Sequence, residues 1–499
     1  MKSLAKLLET IAARDGSATA VLSEGGELSY GEVAREVARL GRELQTAGLG
    51  RGHSVAIITT IEPASIILLA AVSWTGASII PIAAGSGHLQ NGLHQFAPCY
   101  LLGAKDLVEP VADKCCATVR TRERDFALAH WERQRPTAES ARADEEVVFL
   151  TSGSTGEPLG VVCPEQQVAF ARTAIQERLR YNARDRILVG GAFSFDYHYY
   201  QLLLAFAAGA TLVLCEQVFN PLAAAEAIYR HRVTVLPLIP YSFRLLLRSR
   251  LLDRADFSGI RVLTATGEVW PRSEIEALSR VFPGAAIFPM YGLTECKRVS
   301  ILNLQKCPEL AGSVGFPLNG TRVHIVAEDE SEALPGEVGE IAVRGPHLAA
   351  GYHREPEVTA RRFRRLADGN SLLLTGDRGY LDEQGALWFA GRDAQMIKHH
   401  GLRTAALAIE SALLACPHIR RAVVTNVFTD TGEKVAVMVE ISDDHSAQST
   451  RIEEVVRRSW PLTGQPDHIE FGPIPLLPSG KPARPKVASL LHERCSRLS

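Results

Sequence analysis

The stretch Val147-Val-Phe-Leu-Thr-Ser-Gly-Ser-Thr-Gly-Glu-Pro158 decides most about this chain. Its opening, Val147–Leu150, is a short apolar run of the kind that forms a buried strand. The run passes directly into Thr151, Ser152, Gly153, Ser154, Thr155 and Gly156, which pack hydroxyl side chains around two glycines. Glycine lets backbone approach an anion, and N–H and O–H groups can cradle phosphate oxygens. The loop is not a Walker A loop, because the GK[ST] ending is absent. On composition alone, a structural turn explains it as well as a phosphate site does.

On both sides of this loop, short apolar runs alternate with helical patterns. Ile187–Val189, Thr211–Leu214, Val233–Leu238, Arg261–Leu263 and Ala286–Phe288 read as strands, and Ala223–Arg230 and Glu274–Val281 as helices. Upstream, Ser29 and Glu32 have the spacing of a capping box, followed by an amphipathic helix carrying Val33, Val37, Leu40 and Leu44 and closed by Gly48. The alternation predicts an α/β fold with largely parallel sheets. Beyond about residue 310 the texture changes to glycine-punctuated strands, Arg322–Val326, Glu340–Val343 and Ala386–Ala390, which predict a β-rich subdomain. The remainder predicts a small α+β unit with helices Ala405–Ala415 and Ile452–Arg458 and strands Ala422–Val427 and Val435–Ile441. The expected division is 1–393 for a large N-terminal domain and 394–499 for a small mobile C-terminal domain.

Composition narrows the function classes. The 499 residues are 46% hydrophobic and 22% charged with a net charge of -2, which favours neither nucleic acid nor an anionic membrane as partner. The most apolar region, Ala56–Ala84, is broken by Glu62, Pro63, Trp74 and Pro81 and reads as strand, buried helix and strand rather than a membrane span. The nine cysteines are scattered without a CxxC pair, as in a reduced, cytoplasmic protein. Of the 54 Lys and Arg residues only ten are lysines, and none falls between Lys114 and Lys297. A lysine on a chemically suggestive turn therefore carries more weight than usual.

Three further segments carry chemistry. Tyr291-Gly-Leu-Thr-Glu295 combines an aromatic ring, a glycine, a hydroxyl and a carboxylate, suited to ring stacking, phosphate contact and Mg²⁺ ligation. Leu374-Thr-Gly-Asp377, with Arg392 and Lys398 downstream, offers an Asp for the two hydroxyls of a ribose and an Arg for phosphate. Pro478-Ser-Gly-Lys481 places a lysine on a glycine turn near the C-terminus. Singly, each is weak.

Together and in this order, these segments resemble the adenylate-forming superfamily: acyl- and aryl-CoA synthetases, nonribosomal peptide synthetase adenylation domains and firefly luciferase. The resemblance extends to Leu28–Gly50, Gly76–Pro81 and GPHLAAGYHREPEVTARRF at Gly345–Phe363. It implies a large domain of layered α/β subdomains plus a β-rich subdomain, and a C-terminal lid. It also implies an AMP-forming ligase that converts an acid and ATP to an acyl-adenylate and pyrophosphate, with Mg²⁺, and passes the acyl group to CoA or to the phosphopantetheine thiol of a carrier protein. By the same resemblance, Thr151, Ser152, Gly153, Ser154, Thr155 and Gly156 hold the β- and γ-phosphates. Gly267 and Glu268 lie along the adenine, and Tyr291 stacks on it. Thr294 contacts the α-phosphate and Glu295 ligates the metal. Asp377 binds the ribose with Arg392 beside it, and Lys481 reaches the carboxylate and α-phosphate. Asp196 falls where amino-acid-activating members pair with the α-ammonium, although a structural role fits it equally. Tyr197, Tyr200, Met290, Arg298 and Val299 line the acid pocket, where Arg298 serves either a second carboxylate, a polar ring substituent or a scaffold salt bridge.

The sequence also departs from the family. Leu159 stands where the phosphate loop commonly has a lysine, Ala394 replaces the hinge Asp or Lys, and Thr404–Ala408 lacks the usual Pro and first Glu, keeping only Glu410 beyond it. Adenylation features survive better than thiolation features. The expected activity is therefore a stand-alone ligase for a small carboxylic or amino acid. Adenylation that feeds amide or other non-thioester chemistry is a second reading, and a degenerate nucleotide-binding homologue a third. The chain ends shortly after the Lys481 turn, so the acceptor is expected to be CoA, a separate carrier protein or a non-thiol nucleophile.

Overall fold

A computed structural model describes residues 3–84, 93, 96–109, 114–121, 125–130, 145–152, 158–249, 257–267, 270, 272–392, 396–399, 402–414, 416, 418–429, 432–441, 449–458, 460, 465–477 and 481–497. Two large sheets dominate the first 320 or so residues. The nine-stranded sheet has a parallel centre, Thr211–Leu214, Arg186–Val189, Val235–Pro237, Val262–Ala265 and Ala286–Tyr291, in that spatial order. Its edges are antiparallel: Gly26–Ser29 at one end, Ser300–Ile301 and Phe316–Pro317 at the other. These edge strands are too short to give a period-2 signal, so the alternation pattern reads only the parallel centre.

The eight-stranded sheet has parallel strands Ser54–Thr59, Ser78–Ala83 and Tyr100–Ala104, joined through Ser78–Ala83 to an antiparallel hairpin, Glu145–Ser152 and Pro158–Pro164. The first strand of this hairpin runs on past the apolar run through Thr151 and Ser152, which pair with Leu159 and Pro158. Leu159 packs against the core rather than projecting a cation into the loop. The helix Pro63–Thr75 is buried along nearly its whole length, as expected for a continuous apolar run, and a left-handed Gly76 ends it. The Ser29–Glu32 capping box is present, Ser29 N donating to Glu32 Oε2 at 3.0 Å and Glu32 N to Ser29 Oγ at 3.2 Å.

The β-rich portion is a five-stranded sheet built on Arg322–Val326, Gly339–Arg344, Phe363–Arg365, Ser371–Leu381 and Leu387–Arg392. After it in the chain, helix Ala406–Leu414, strands Ile419–Thr429, Gly432–Ile441 and His468–Phe471, and helices Ser449–Arg458 and Arg484–Arg497 form a unit with its own apolar clusters. Glu410 has a structural task there. It accepts from Val424 N at 2.8 Å and pairs with Arg484, which accounts for both residues where the neighbouring pattern has lapsed. This unit touches the large one: the Arg421 guanidinium, paired with Glu440 at 2.5 Å, lies 4.2 Å from the Tyr241 ring centroid. The expected boundary at 393/394, including Ala394, lies outside the described residues.

One core group predicts pH-dependent stability. Glu146 is 8% exposed, and its Oε1 has no partner. Burial, reinforced by Glu165 and opposed by Arg172, pushes its carboxyl up to about 8 from an ordinary 4.5. Between those values the folded chain holds a proton that the unfolded chain has lost, so this group makes stability fall as pH rises through the window. Glu146→Gln is expected to flatten the thermal-melting profile between pH 5 and 8. It should raise Tm at pH 8 by roughly 2–4 °C for each kcal/mol recovered. An unchanged pH slope would contradict the assignment.

Candidate active site

Of the residues singled out above, Gly267, Tyr291, Asp377, Arg392 and Lys481 lie at or against the carboxyl ends of the parallel strands Val262–Ala265 and Ala286–Tyr291, where open α/β sheets bind ligands. Asp377 is the best-organised of them. It follows Gly376, whose φ of +70° needs a glycine and whose N–H donates to Glu340 Oε1 at 2.8 Å. The Asp377 carboxylate accepts from Tyr291 Oη at 2.8 Å and from Arg392 Nε at 2.7 Å, and the residue is 1% exposed. Asp377 and Arg392 are register partners on antiparallel strands, so sheet geometry sets their pairing. Burial raises the carboxyl above its usual range, and Arg392, Tyr291 and Arg362 offset part of that rise. Tyr291 holds its ring 5.7 Å from Phe389.

The turn after Tyr291 is tightly determined. A side chain at Gly292 would lie 1.9 Å from the Lys297 carbonyl oxygen, so only glycine fits. Lys297 itself has a left-handed φ of +62° and is 1% exposed. Its ammonium donates to Thr294 O at 2.7 Å and contacts Cys163 Sγ at 2.8 Å, with the Phe149 ring at 4.6 Å. Glu295 accepts from Tyr352 Oη at 2.7 Å. Among the described residues no group of three or more His, Cys, Asp or Glu could hold a metal unaided. A single carboxylate suits Mg²⁺ that arrives with substrate phosphates, which commonly supply the other ligands.

Lys481 completes the site from the far end of the chain. Its carbonyl accepts from Leu477 N at 2.8 Å, which fixes the turn, and its ammonium lies 5.6 Å from the Phe195 ring centroid. The same ammonium would stand 2.6 Å from a Cβ at Gly267, where φ is +91°. Gly267 thus vacates the space that Lys481 occupies. Phe195 caps helix Asp196–Ala208, so Asp196 opens that helix directly after the residue whose ring Lys481 faces. Tyr197 Oη is committed to Thr264, at 2.6 Å from Oγ1 and 3.0 Å from O, and Arg298 stacks over the Tyr197 ring at 5.1 Å. Tyr200, Met290 and Val299 are buried, Val299 N donating to Tyr291 O at 2.9 Å.

Gly153, Ser154, Thr155, Gly156 and Glu268 lie outside the described residues, as does the Ser152 side chain; Thr151 Oγ1 donates to Leu159 O at 3.3 Å. Sequence reasoning missed Lys297, Tyr352 and Thr264. Lys297 had a signal, as the residue that ends the long lysine-free stretch, whereas Thr264 and Tyr352 become visible only through their partners. A cleft at the opposite ends of the same strands, lined by Arg180, Arg261, Ala286 and Lys306, contains none of the site residues.

The AMP-binding enzyme family model matches residues 8–353. The chain belongs to this AMP-binding enzyme family. That places it in the adenylate-forming superfamily anticipated from the motifs. Pyochelin synthetase PchF of Pseudomonas aeruginosa is 30% identical over 89% of this chain, and the match spans only 25% of that much longer protein. Novobiocin biosynthesis protein H of Streptomyces niveus is 29% identical over 97% of this chain and 82% of its own length. The amide bond synthetase McbA from Marinactinospora thermotolerans superposes with a TM-score of 0.80 at 25% identity, covering 98% of this chain and 99% of its own. In this AMP-binding enzyme no helix among the described residues is long and apolar enough to cross a membrane.

Proposed function

We propose that the chain activates an amino acid with ATP and delivers the aminoacyl group to the phosphopantetheine thiol of a carrier protein. The observation that carries this reading is the position of the Lys481 ammonium, against Gly267 and beside Phe195, the residue before Asp196. A carboxylate is a poor nucleophile toward a polyanion, because like charges repel. Lys481 draws the substrate carboxylate and the α-phosphate together and stabilises the charge that builds on the equatorial oxygens during attack. Thr294 lies along the α-phosphate. Asp377, already organised by Tyr291 and Arg392, accepts from the ribose hydroxyls, and the Tyr291 ring backs the adenine. Mg²⁺, when bound, would neutralise phosphate charge, and Glu295 would be its ligand from the chain. Asp196 pairs with the α-ammonium. Its Oδ2 is buried without a partner, a costly state that an ammonium relieves.

Carrier delivery is supported by similarity to a segment of a dimodular nonribosomal peptide synthase. Amide formation is the second reading, favoured by the likeness to McbA and by the altered stretch Thr404–Ala408. Intact-mass analysis of a carrier protein after incubation with enzyme, ATP and amino acid tests the acceptor: an aminoacyl increment is expected. Product appearing only with an amine acceptor would reassign the second step to amide synthesis. Asp377→Asn is expected to raise KM for ATP by about 10–100-fold, the loss of a charge-assisted hydrogen bond, with a smaller change in kcat. Steady-state kinetics in ATP check this, and an unaltered KM would remove Asp377 from the ribose.

A further inference from the structure

The acid pocket holds more positive charge than a simple amino acid can balance. Arg298 is 5% exposed, and Lys297, immediately before it, is 1% exposed. Among the described residues neither has a carboxylate as ion-pair partner: Lys297 is met by a carbonyl, a sulfur and an aromatic face, and Arg298 donates Nη1 to Lys297 O at 2.6 Å and stacks on Tyr197. Buried charges without counter-ions are expensive, and they concentrate at sites where a ligand brings the missing charge. The guanidinium has five N–H donors in a planar fork, and the Lys297 carbonyl engages one nitrogen of it. The rest have the geometry that a carboxylate satisfies through two parallel hydrogen bonds.

A charge inventory of the site identifies what is missing. An amino acid undergoing adenylation here has two partners, Asp196 for its ammonium and Lys481 for its reacting carboxylate. Both pairs balance. Glu295 is engaged by Tyr352, and the Lys297 ammonium is taken up by Thr294 O, Cys163 Sγ and the Phe149 ring, so Arg298 is the cation whose donors a substrate has still to match. Lys481 lies 5.6 Å from the Phe195 ring centroid, the Phe195 and Tyr197 rings are 6.2 Å apart, and Arg298 lies 5.1 Å from the Tyr197 ring. The two cations therefore flank one short aromatic row that carries Asp196 between its two rings in sequence. A compact substrate with an anion at each end and an ammonium between them matches this order.

We infer that the substrate is a short amino dicarboxylic acid and that Arg298 is the specificity-determining residue, receiving the carboxylate that is not adenylated. The inference rests on the adenylation reading above and adds the substrate class to it. A scaffold salt bridge does not account for Arg298, because among the described residues no acidic side chain lies within ion-pair distance of it and its protein acceptor is a backbone carbonyl. A neutral amide in place of the second carboxylate keeps the size of the substrate and loses the charge. That makes aspartate against asparagine, and glutamate against glutamine, the discriminating comparisons.

The test is ATP–pyrophosphate exchange with these four amino acids and with alanine, valine and phenylalanine, using wild type, Arg298→Gln and Arg298→Lys. Wild type is expected to favour one of the diacids over its amide by about 10²-fold in kcat/KM. Arg298→Gln should reduce that ratio to near one while retaining exchange with the amide, which also shows that the variant is folded. Arg298→Lys, which keeps charge without the fork, should retain part of the preference. A wild type that prefers a neutral amino acid, or an Arg298→Gln variant that loses all substrates in equal proportion, overturns the inference and leaves adenylation standing. Absence of exchange with every acid overturns adenylation instead. Calorimetry with aspartate and glutamate then decides the pocket: binding to wild type that Arg298→Gln abolishes upholds the inference, and no binding overturns it.

Discussion

Lys481→Ala is expected to lower the adenylation rate by roughly 10²–10³-fold, the loss of about 3–4 kcal/mol of transition-state stabilisation by a pre-placed cation. The side chain sits on a turn at the edge of the small C-terminal unit, partly buried, and its ammonium points at Gly267 and the start of the Asp196–Ala208 helix. Its removal should leave thermal stability nearly unchanged, which separates a chemical loss from unfolding. Transfer of a chemically supplied acyl-adenylate to its acceptor should fall by less than about tenfold, because Lys481 acts in the first half-reaction and its charge is not needed once the adenylate exists. Near-normal pyrophosphate exchange by the variant would contradict this role.

Gly267→Ala is expected to cost about 10²-fold in the same step, through a different physical route. A Cβ there would lie 2.6 Å from Lys481 Nζ and 2.7 Å from its Cε. The far end of a lysine yields more easily than backbone, so the ammonium moves off its position while the turn remains. The φ of +91° adds a strain of about 1–2 kcal/mol for any residue with a Cβ, so a modest fall in Tm accompanies the loss. The two substitutions act on one ammonium and must be non-additive. Lys481→Ala combined with Gly267→Ala should be no slower than Lys481→Ala alone. Multiplying losses would mean that Gly267 acts on something other than Lys481.

Sequence reading reaches part of this site and stops short of the rest. The parallel sheet centre, the capping box and the buried Pro63–Thr75 helix follow from local periodicity, and the structure contains them. The chemical segments are recognisable because each packs distinctive residues into a few positions. Their mutual placement is not: the approach of Lys481 to Gly267, the seat of Tyr352 on Glu295 and the pairing of Tyr197 with Thr264 join elements far apart in sequence. No local propensity encodes such contacts. The antiparallel sheet edges escape notice because strands of two residues carry no period. Arg298 is legible as a pocket residue with several roles open. Its lack of an acidic partner among the described residues, which gives it a role, is a tertiary fact.

The gathered site also bears on Leu159. With the hairpin strand turning that side chain into the core, the site's described cations include Lys481, Arg392, Arg362, Lys297 and Arg298, and the last two are buried without carboxylate partners among the described residues. On the adenylation reading, neutralising ATP therefore falls to Lys481, Arg392 and Mg²⁺, and Arg298 is kept for the second carboxylate of the substrate.

Amino-acid-dependent ATP–pyrophosphate exchange by the unmodified chain tests the central claim most directly. Exchange well above the ATP-only background is predicted with at least one amino acid, and none with the corresponding desamino acid, which leaves Asp196 unpaired. ATP binding without exchange for any amino, aryl or short acyl acid would contradict it.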